Sequence, residues 1–318
     1  MLMTKSLLRG ATRRRVIEGL LAFGASAGLY RSGSAEVKTP RQGQGATRHP
    51  GAQSDAANAA WLTLPPTPTL PGATRSGLAA VNGTSIFFAQ FGDGPAVLLL
   101  HGGLANSNYW GHQVRRLAES FSVTVMDTRG HGRSPMTSHA FSYGLFAQDA
   151  VGLLDFLKIP EAAIVGWSDG AITGLQLAMT QRSRVSRLFA FGANSTIDGL
   201  KPDGAKSQVF ATFTNRSKTE YARLSPHPER WPQLVDRLRG MWRTEPKFTK
   251  KELAAIKTPT AISDGEYDEI IKRDDTEGMA RAIPDARLVI QPRVSHFAML
   301  QNPAQFNEAL IGFLSAPN

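Results

Sequence analysis

From about residue 77 onward, short runs of apolar residues alternate with stretches in which apolar side chains recur every three or four positions. The runs Val97–Leu100, Val123–Met126, Ala162–Val165, Leu188–Phe191, Thr260–Ser263 and Arg287–Ile290 read as buried strands. Between most of them the spacing predicts helices, over Trp110–Glu119, Leu145–Leu157 and Ser168–Gln181, with another at Pro303–Phe313. Ahead of the first run, Asn82-Gly83 separates Leu78–Val81 from Ile86–Phe91. Both turn residues tolerate positive φ, so the pair is a hairpin signal. The alternation predicts an α/β fold with a mostly parallel central sheet, helices on both faces and one antiparallel strand pair at the edge.

One interval breaks the alternation. Between Asn194 and about Ile256 no core strand is evident, yet Phe210, Phe213, Tyr221, Leu224, Trp231, Leu234, Leu238, Met241 and Trp242 occur there, several at helical spacing. A helical insertion over about 195–256 is expected, forming a lid over a cleft or packing its aromatic side chains onto the core.

The junction of a strand and a helix holds the most specific chemistry. In Gly166-Trp167-Ser168-Asp169-Gly170 the strand run must become a helix almost without a loop. Glycine permits the close backbone approach this requires, and the serine at the apex is pushed outward as a nucleophile would be. A serine hydroxyl needs a base to take its proton and an acid to orient that base. Of the seven histidines, only His296 lies on a loop just after the last strand run and before the final helix. That places it at the carboxyl edge of the sheet, where open parallel sheets bind ligands. Asp264-Gly265-Glu266-Tyr267-Asp268 follows the preceding strand. Asp268 is the preferred acid, because its turn throws the side chain toward the next loop, with Asp264 and Glu266 as competitors. The order Ser168, Asp268, His296 suits an elbow nucleophile. For the oxyanion, the backbone N–H of Gly103 (or Leu104), in the turn His101-Gly102-Gly103-Leu104, would act with that of Asp169.

Composition narrows the partners. Absence of cysteine removes disulfides, thiolate metal sites and a thiol nucleophile. Half of the formal net charge of +10 sits in residues 1–35, and the rest is scattered without a basic, aromatic-laced stripe, so no nucleic-acid partner is expected. Within that start, Thr12-Arg13-Arg14-Arg15-Val16-Ile17 resembles the twin-arginine export consensus. An apolar segment too short to span a membrane and the small residues Gly33-Ser34-Ala35 follow it. Residues 1–35 are expected to be a signal peptide, giving a periplasmic or extracellular protein with no stable membrane insertion. Residues 36–76, rich in Gln, Gly, Ala, Thr and Pro, are expected to be a flexible linker extended over the surface or disordered. Residues 77–318 form the folded domain. No third glycine follows Gly130-His131-Gly132 at dinucleotide spacing, and neither a phosphate-loop Gly-Lys-Ser/Thr nor His-Glu-x-x-His occurs. No cofactor or metal is expected.

Taken together, the His101-Gly-Gly turn, Asp127-Thr-Arg-Gly-His-Gly-Arg-Ser134, the Gly166–Gly170 elbow and the Asp268 and His296 loops resemble the α/β-hydrolase fold family over about residues 77–317. The resemblance implies a serine hydrolase of the esterase, lipase or lactonase type, with Asp127 and His131 structural. Dehalogenases and epoxide hydrolases place aspartate where this chain has Ser168. The alternatives are a lactonase, a carbon–carbon bond hydrolase or a cofactor-free haloperoxidase-like enzyme using the same triad, or a non-catalytic ligand-binding protein. The substrate is expected to be a small, partly apolar molecule.

Overall fold

In the computed structural model the described residues are 59–317. The leader-like start and residues 36–58 of the expected linker lie outside them. Eight strands form one sheet: β1 (Arg75–Val81), β2 (Thr84–Phe91), β3 (Ala96–Leu100), β4 (Ser122–Met126), β5 (Ala162–Trp167), β6 (Val185–Phe191), β7 (Thr260–Gly265) and β8 (Arg287–Gln291). Their spatial order is β1-β2-β4-β3-β5-β6-β7-β8. β1 and β2 are antiparallel to their neighbours, and the pairs from β4 to β8 are all parallel. Asn82 and Gly83 turn the opening hairpin with φ of 44° and 72°, the double positive-φ geometry that matches strand twist.

The helices are α1 (Gly111–Leu117), α2 (Tyr143–Phe156), α3 (Asp169–Thr180), α4 (Gln208–Leu224), α5 (Trp231–Trp242), α6 (Lys250–Ala254), α7 (Arg273–Ala282), α8 (Ala298–Gln301) and α9 (Pro303–Leu314). β5 and β7 are buried along their whole length. Central strands with helices on both faces leave no residue facing water, which is why they read as unbroken apolar runs. α7 joins β7 to β8 and escaped the sequence pattern, because only Thr276 and Met279 of its ten residues are buried.

Strand order explains where a site can form. From β3 the chain turns one way to β4, and from β5 it turns the other way to β6, so the carboxyl ends of β3 and β5 flank a crevice. Leu100 at the end of β3 pairs with Gly166 near the end of β5. The glycine turn and the serine elbow therefore leave the sheet side by side.

Residues 59–74, expected within the linker, are laid onto the domain, and β1 begins at Arg75, two residues before the expected start. Arg216 on α4 donates to the carbonyls of Leu64 and Pro65, Arg115 to Thr69, and Gln301 to Thr63. The Trp61 ring stacks on Tyr267 with centroids 4.3 Å apart. Prolines forgo the N–H that a sheet would need, so these carbonyls are satisfied by side chains of the domain instead. Among the described residues no helix is long and apolar enough to cross a membrane.

Candidate active site

Ser168 joins β5 to α3 with φ 55° and ψ −121°. A non-glycine residue at positive φ costs about 1–3 kcal/mol and persists only where its surroundings impose it. Here both flanking glycines impose it. A Cβ on Gly166 would run into the backbone of Gly170, and one on Gly170 into the carbonyl of Leu100 on β3. The Ser168 N–H is tied to Phe191 O at 2.9 Å, and its side chain enters a cavity instead of capping α3.

The acid and the histidine come from the next edge loops. Asp268 follows β7, and its Oδ1 accepts from Ile270 N–H at 2.7 Å and Ile271 N–H at 2.8 Å. Its Oδ2 lies 2.6 Å from His296 Nδ1, with both side chains nearly inaccessible to solvent. Nδ1 donates to the carboxylate, so in the neutral ring Nε2 carries no proton. The histidine loop is held by Trp167 Nε1, which donates to His296 O at 2.9 Å, and by Glu269 Oε2, which accepts from His296 N at 3.1 Å. The competitors point elsewhere. Asp264 accepts from Gly265 N–H and from the Thr276 hydroxyl, and exposed Glu266 accepts from Arg293 N–H.

These contacts set the protonation states. Burial alone would raise the Asp268 pKa. The adjacent imidazolium and the hydrogen bonds from His296, Asp264 and Ile271 outweigh burial and hold it at about 2. Burial likewise disfavours charged His296, but the charge and hydrogen bond of Asp268, aided by Glu269 and Asp169, raise its pKa above the ordinary value. An imidazole of that kind accepts a proton readily and holds it beside a carboxylate.

The turn after β3 completes the arrangement. Gly102 packs against Ser168, since a Cβ there would sit 3.1 Å from Ser168 Cβ, while Gly103 faces the Asp169 carboxyl and the Trp242 ring. His101 anchors the turn, with Nδ1 2.7 Å from Gly102 O and Nε2 accepting from Thr128 N–H at 3.0 Å. The backbones of Gly103 and Asp169 thus lie on the two segments that flank Ser168. Asp127 and His131 serve structure: Asp127 accepts from the N–H groups of Ser107 and Arg133, and burial drives His131 down to a pKa of about 3.

A cleft of about 590 Å³, counting its open mouth, is lined by Ser168, His296, Gly103 and Asp169, with Trp167 below and Phe210, Phe213, Leu200, Ile270 and Trp242 around it. Phe210 and Phe213 come from α4 and Trp242 from α5, so part of the insertion roofs the cleft. Leu234, Leu238 and Met241 are buried and pack the insertion itself. Asn106 on the core donates to Glu220 on α4 at 3.0 Å, which anchors the roof.

The family model for the alpha/beta hydrolase fold matches residues 95–251. The chain has the alpha/beta hydrolase fold. It is 28% identical to the human serine hydrolase BPHL over 252 residues, 75% of this chain and 86% of that protein. It is 27% identical to a non-heme haloperoxidase from Rhodococcus erythropolis over 273 residues, 75% of this chain and 99% of that one. The structure of an enol-lactonase from Burkholderia xenovorans superimposes with a TM-score of 0.62 at 23% identity, over 76% of this chain and all of that one.

Sequence reasoning missed one feature of this hydrolase-fold site. Asp169 was assigned only through its backbone, but its side chain also faces the cleft. Its carboxylate accepts from Tyr143 Oη at 2.8 Å and from Trp242 Nε1 at 3.0 Å, linking α2, the elbow and the lid. Burial raises its pKa to about 6 against those two donors. Tyr143 and Trp242 carry no sequence signal for this role, since they lie 26 and 73 residues from Asp169.

Proposed function

We propose that this chain is a serine hydrolase cleaving a carboxylic ester or related acyl bond of a small, partly apolar molecule. The observation that carries the reading is the buried His296–Asp268 pair at 2.6 Å, on the same cleft as an outward-turned Ser168. His296 Nε2 takes the Ser168 Oγ proton, and Oγ attacks the carbonyl carbon. The developing oxyanion is held by the N–H groups of Gly103 and Asp169, each donor worth roughly 3 kcal/mol of barrier. His296 then protonates the leaving alkoxide. Water deprotonated by His296 attacks the acyl-enzyme and releases the acid, restoring the Ser168 hydroxyl.

Apolar walls from Trp167, Phe210, Phe213, Leu200 and Ile270 support an ester or lactone with a hydrocarbon portion. The same route opens a lactone, with the leaving alkoxide still tethered to the acyl group. The twin-arginine-like start supports action after export, and that segment lies outside the described residues.

The test is to treat the folded protein with a fluorophosphonate and map the modified peptide by mass spectrometry. The label should fall on Ser168 and vanish in Ser168→Ala. Labelling that survives this substitution would remove Ser168 from the reaction.

A further inference from the structure

The segment 59–74 lies over the domain as a strap and meets both loops that carry the acid and the histidine. The Trp61 ring stacks on Tyr267, the residue before Asp268. Two residues further on, the Thr63 carbonyl accepts from Gln301 Nε2 at 2.8 Å. Gln301 ends α8, the short helix that follows His296. The rest of its amide engages Ser295, the residue before the histidine. Gln301 Oε1 accepts from the Ser295 N–H at 2.7 Å, and Nε2 donates to Ser295 Oγ at 2.9 Å.

These partners fix the orientation of the amide. Only the oxygen can accept from Ser295 N–H, and only the nitrogen, with its two hydrogens, can serve both Thr63 O and Ser295 Oγ. Ser295 is 0% exposed, so removing Gln301 would leave its N–H buried without that partner. The neighbouring groups of the loop are held from other elements. Tyr267 N–H donates to Val294 O, Glu269 Oε2 accepts from His296 N, and Trp167 Nε1 donates to His296 O. Ser295 is held from behind, by α8 and the strap. The imidazole itself has little room, since a Cβ on Gly192 would sit 2.8 Å from His296 Cε1. A loop displaced at Ser295 therefore carries the ring out of line with Asp268.

We infer that Gln301 is a positioning residue for His296, with the strap carbonyl of Thr63 holding Gln301 in place. With Ser295 gripped at its N–H and its hydroxyl, the peptide link into His296 is fixed against rotation, and Nδ1 stays 2.6 Å from Asp268. The inference deepens the Ser168–His296–Asp268 reading and rests on it for its kinetic consequence.

Three variants of the full chain test it. Gln301→Met keeps the length of the side chain and none of its hydrogen bonds. Gln301→Asn keeps the amide but falls one methylene short of spanning Ser295 and Thr63. Gln301→Glu keeps the acceptor for the Ser295 N–H, and the Ser295 hydroxyl can donate to it. With p-nitrophenyl acetate on the alkaline pH plateau, kcat of Gln301→Met and Gln301→Asn should fall about tenfold or more, the scale for losing a supporting contact remote from the chemistry. KM should stay within about twofold, because Gln301 does not line the cleft. Gln301→Glu should recover most of the lost rate.

The second readout is the proton NMR resonance of His296 Nδ1–H, which so short a bond to a carboxylate shifts far downfield. It should stand in wild type and Gln301→Glu, and be displaced or broadened by exchange in the other two variants. A packing role alone would lower stability and leave kcat and the resonance unchanged. Unchanged kcat or an unmoved resonance in folded Gln301→Met would overturn the inference, as would a Gln301→Glu as slow as Gln301→Met. Gln301→Asn carries the test if Gln301→Met fails to fold. If the wild type neither turns over the ester nor takes a fluorophosphonate, the serine-hydrolase reading fails, and the resonance still decides whether Gln301 positions His296.

Discussion

Replacing Asp169 by Asn should stabilise the protein in a pH-dependent way, with a sign opposite to that of most buried carboxylates. In the fold its pKa is raised from 3.8 to about 6. A raised carboxyl pKa contributes stability that is fully present below pH 3.8 and is lost as pH rises through about 6. Linkage over that interval gives the wild type a penalty, relative to a permanently neutral side chain, of about 3 kcal/mol at pH 8 and about 1 kcal/mol at pH 4.5. Asparagine is neutral at both. Its carbonyl, placed at Oδ1, still accepts from Tyr143 Oη and Trp242 Nε1, both of which reach that atom. Any misfit of the amide NH₂ beside Gly103 is independent of pH and cancels between the two conditions. Urea unfolding of wild type and Asp169→Asn at each pH measures the effect. The variant's advantage should be larger at pH 8 than at pH 4.5 by about 2 kcal/mol, with unchanged m-values. An advantage equal at the two pH values, or larger at pH 4.5, would refute the reasoning, because Asp169 would then not carry its charge into a buried site.

Other outcomes follow from the same geometry. Ser168→Gly should raise stability by about 1–3 kcal/mol in chemical unfolding by releasing the left-handed strain, while abolishing labelling and turnover. Gly170→Ala should fold poorly or not at all, read by soluble yield and circular dichroism, because the added methyl strikes Leu100 O on the neighbouring strand. Asp268→Asn should lower kcat by about four orders of magnitude, since the amide leaves His296 in the wrong tautomer. If Asp264→Asn costs more than Asp268→Asn, the acid is misassigned. Because the His296 pKa is raised, kcat/KM against pH should fall on the acid side at a midpoint above 6.5, and a midpoint below that value would contradict the Asp268 contact.

The middle strands of the sheet, β4, β3, β5, β6 and β7, were legible in the sequence because they are mostly buried on both faces. Arg287–Ile290, expected as a buried run, instead lies in the edge strand β8 with Arg287 and Leu288 exposed. Val97–Leu100 and Ala162–Val165 could be placed within a residue or two at their starts from apolarity alone. The elbow was legible for a related reason: so tight a strand-to-helix turn needs glycines on either side of its apex, and Gly166 and Gly170 lie within one pentapeptide. The order of Ser168, Asp268 and His296 also followed from the chain, since each sits on a loop after a recognisable strand. Helix α7 was hidden because it buries too little to leave a periodic trace, and the packed segment 59–74 was hidden because proline-rich chain held by side-chain donors has no periodicity.

Tertiary structure separated the preferred acid from its two competitors. Asp264, Glu266 and Asp268 lie within five residues of one another, and the turn sequence favoured Asp268 without excluding the other two. Backbone N–H groups at Ile270 and Ile271 aim Asp268 at His296, while Thr276 on α7 draws Asp264 away. The same holds for Asp169. Its protonation depends on Tyr143 and Trp242, which reach it from other helices, and on burial beneath the lid. Apolar periodicity and glycine spacing are local properties that one strand or turn enforces by itself, so sequence records them. Long-range hydrogen bonds and the exclusion of water arise only when distant segments pack, and those set the charge of each carboxyl group in this site.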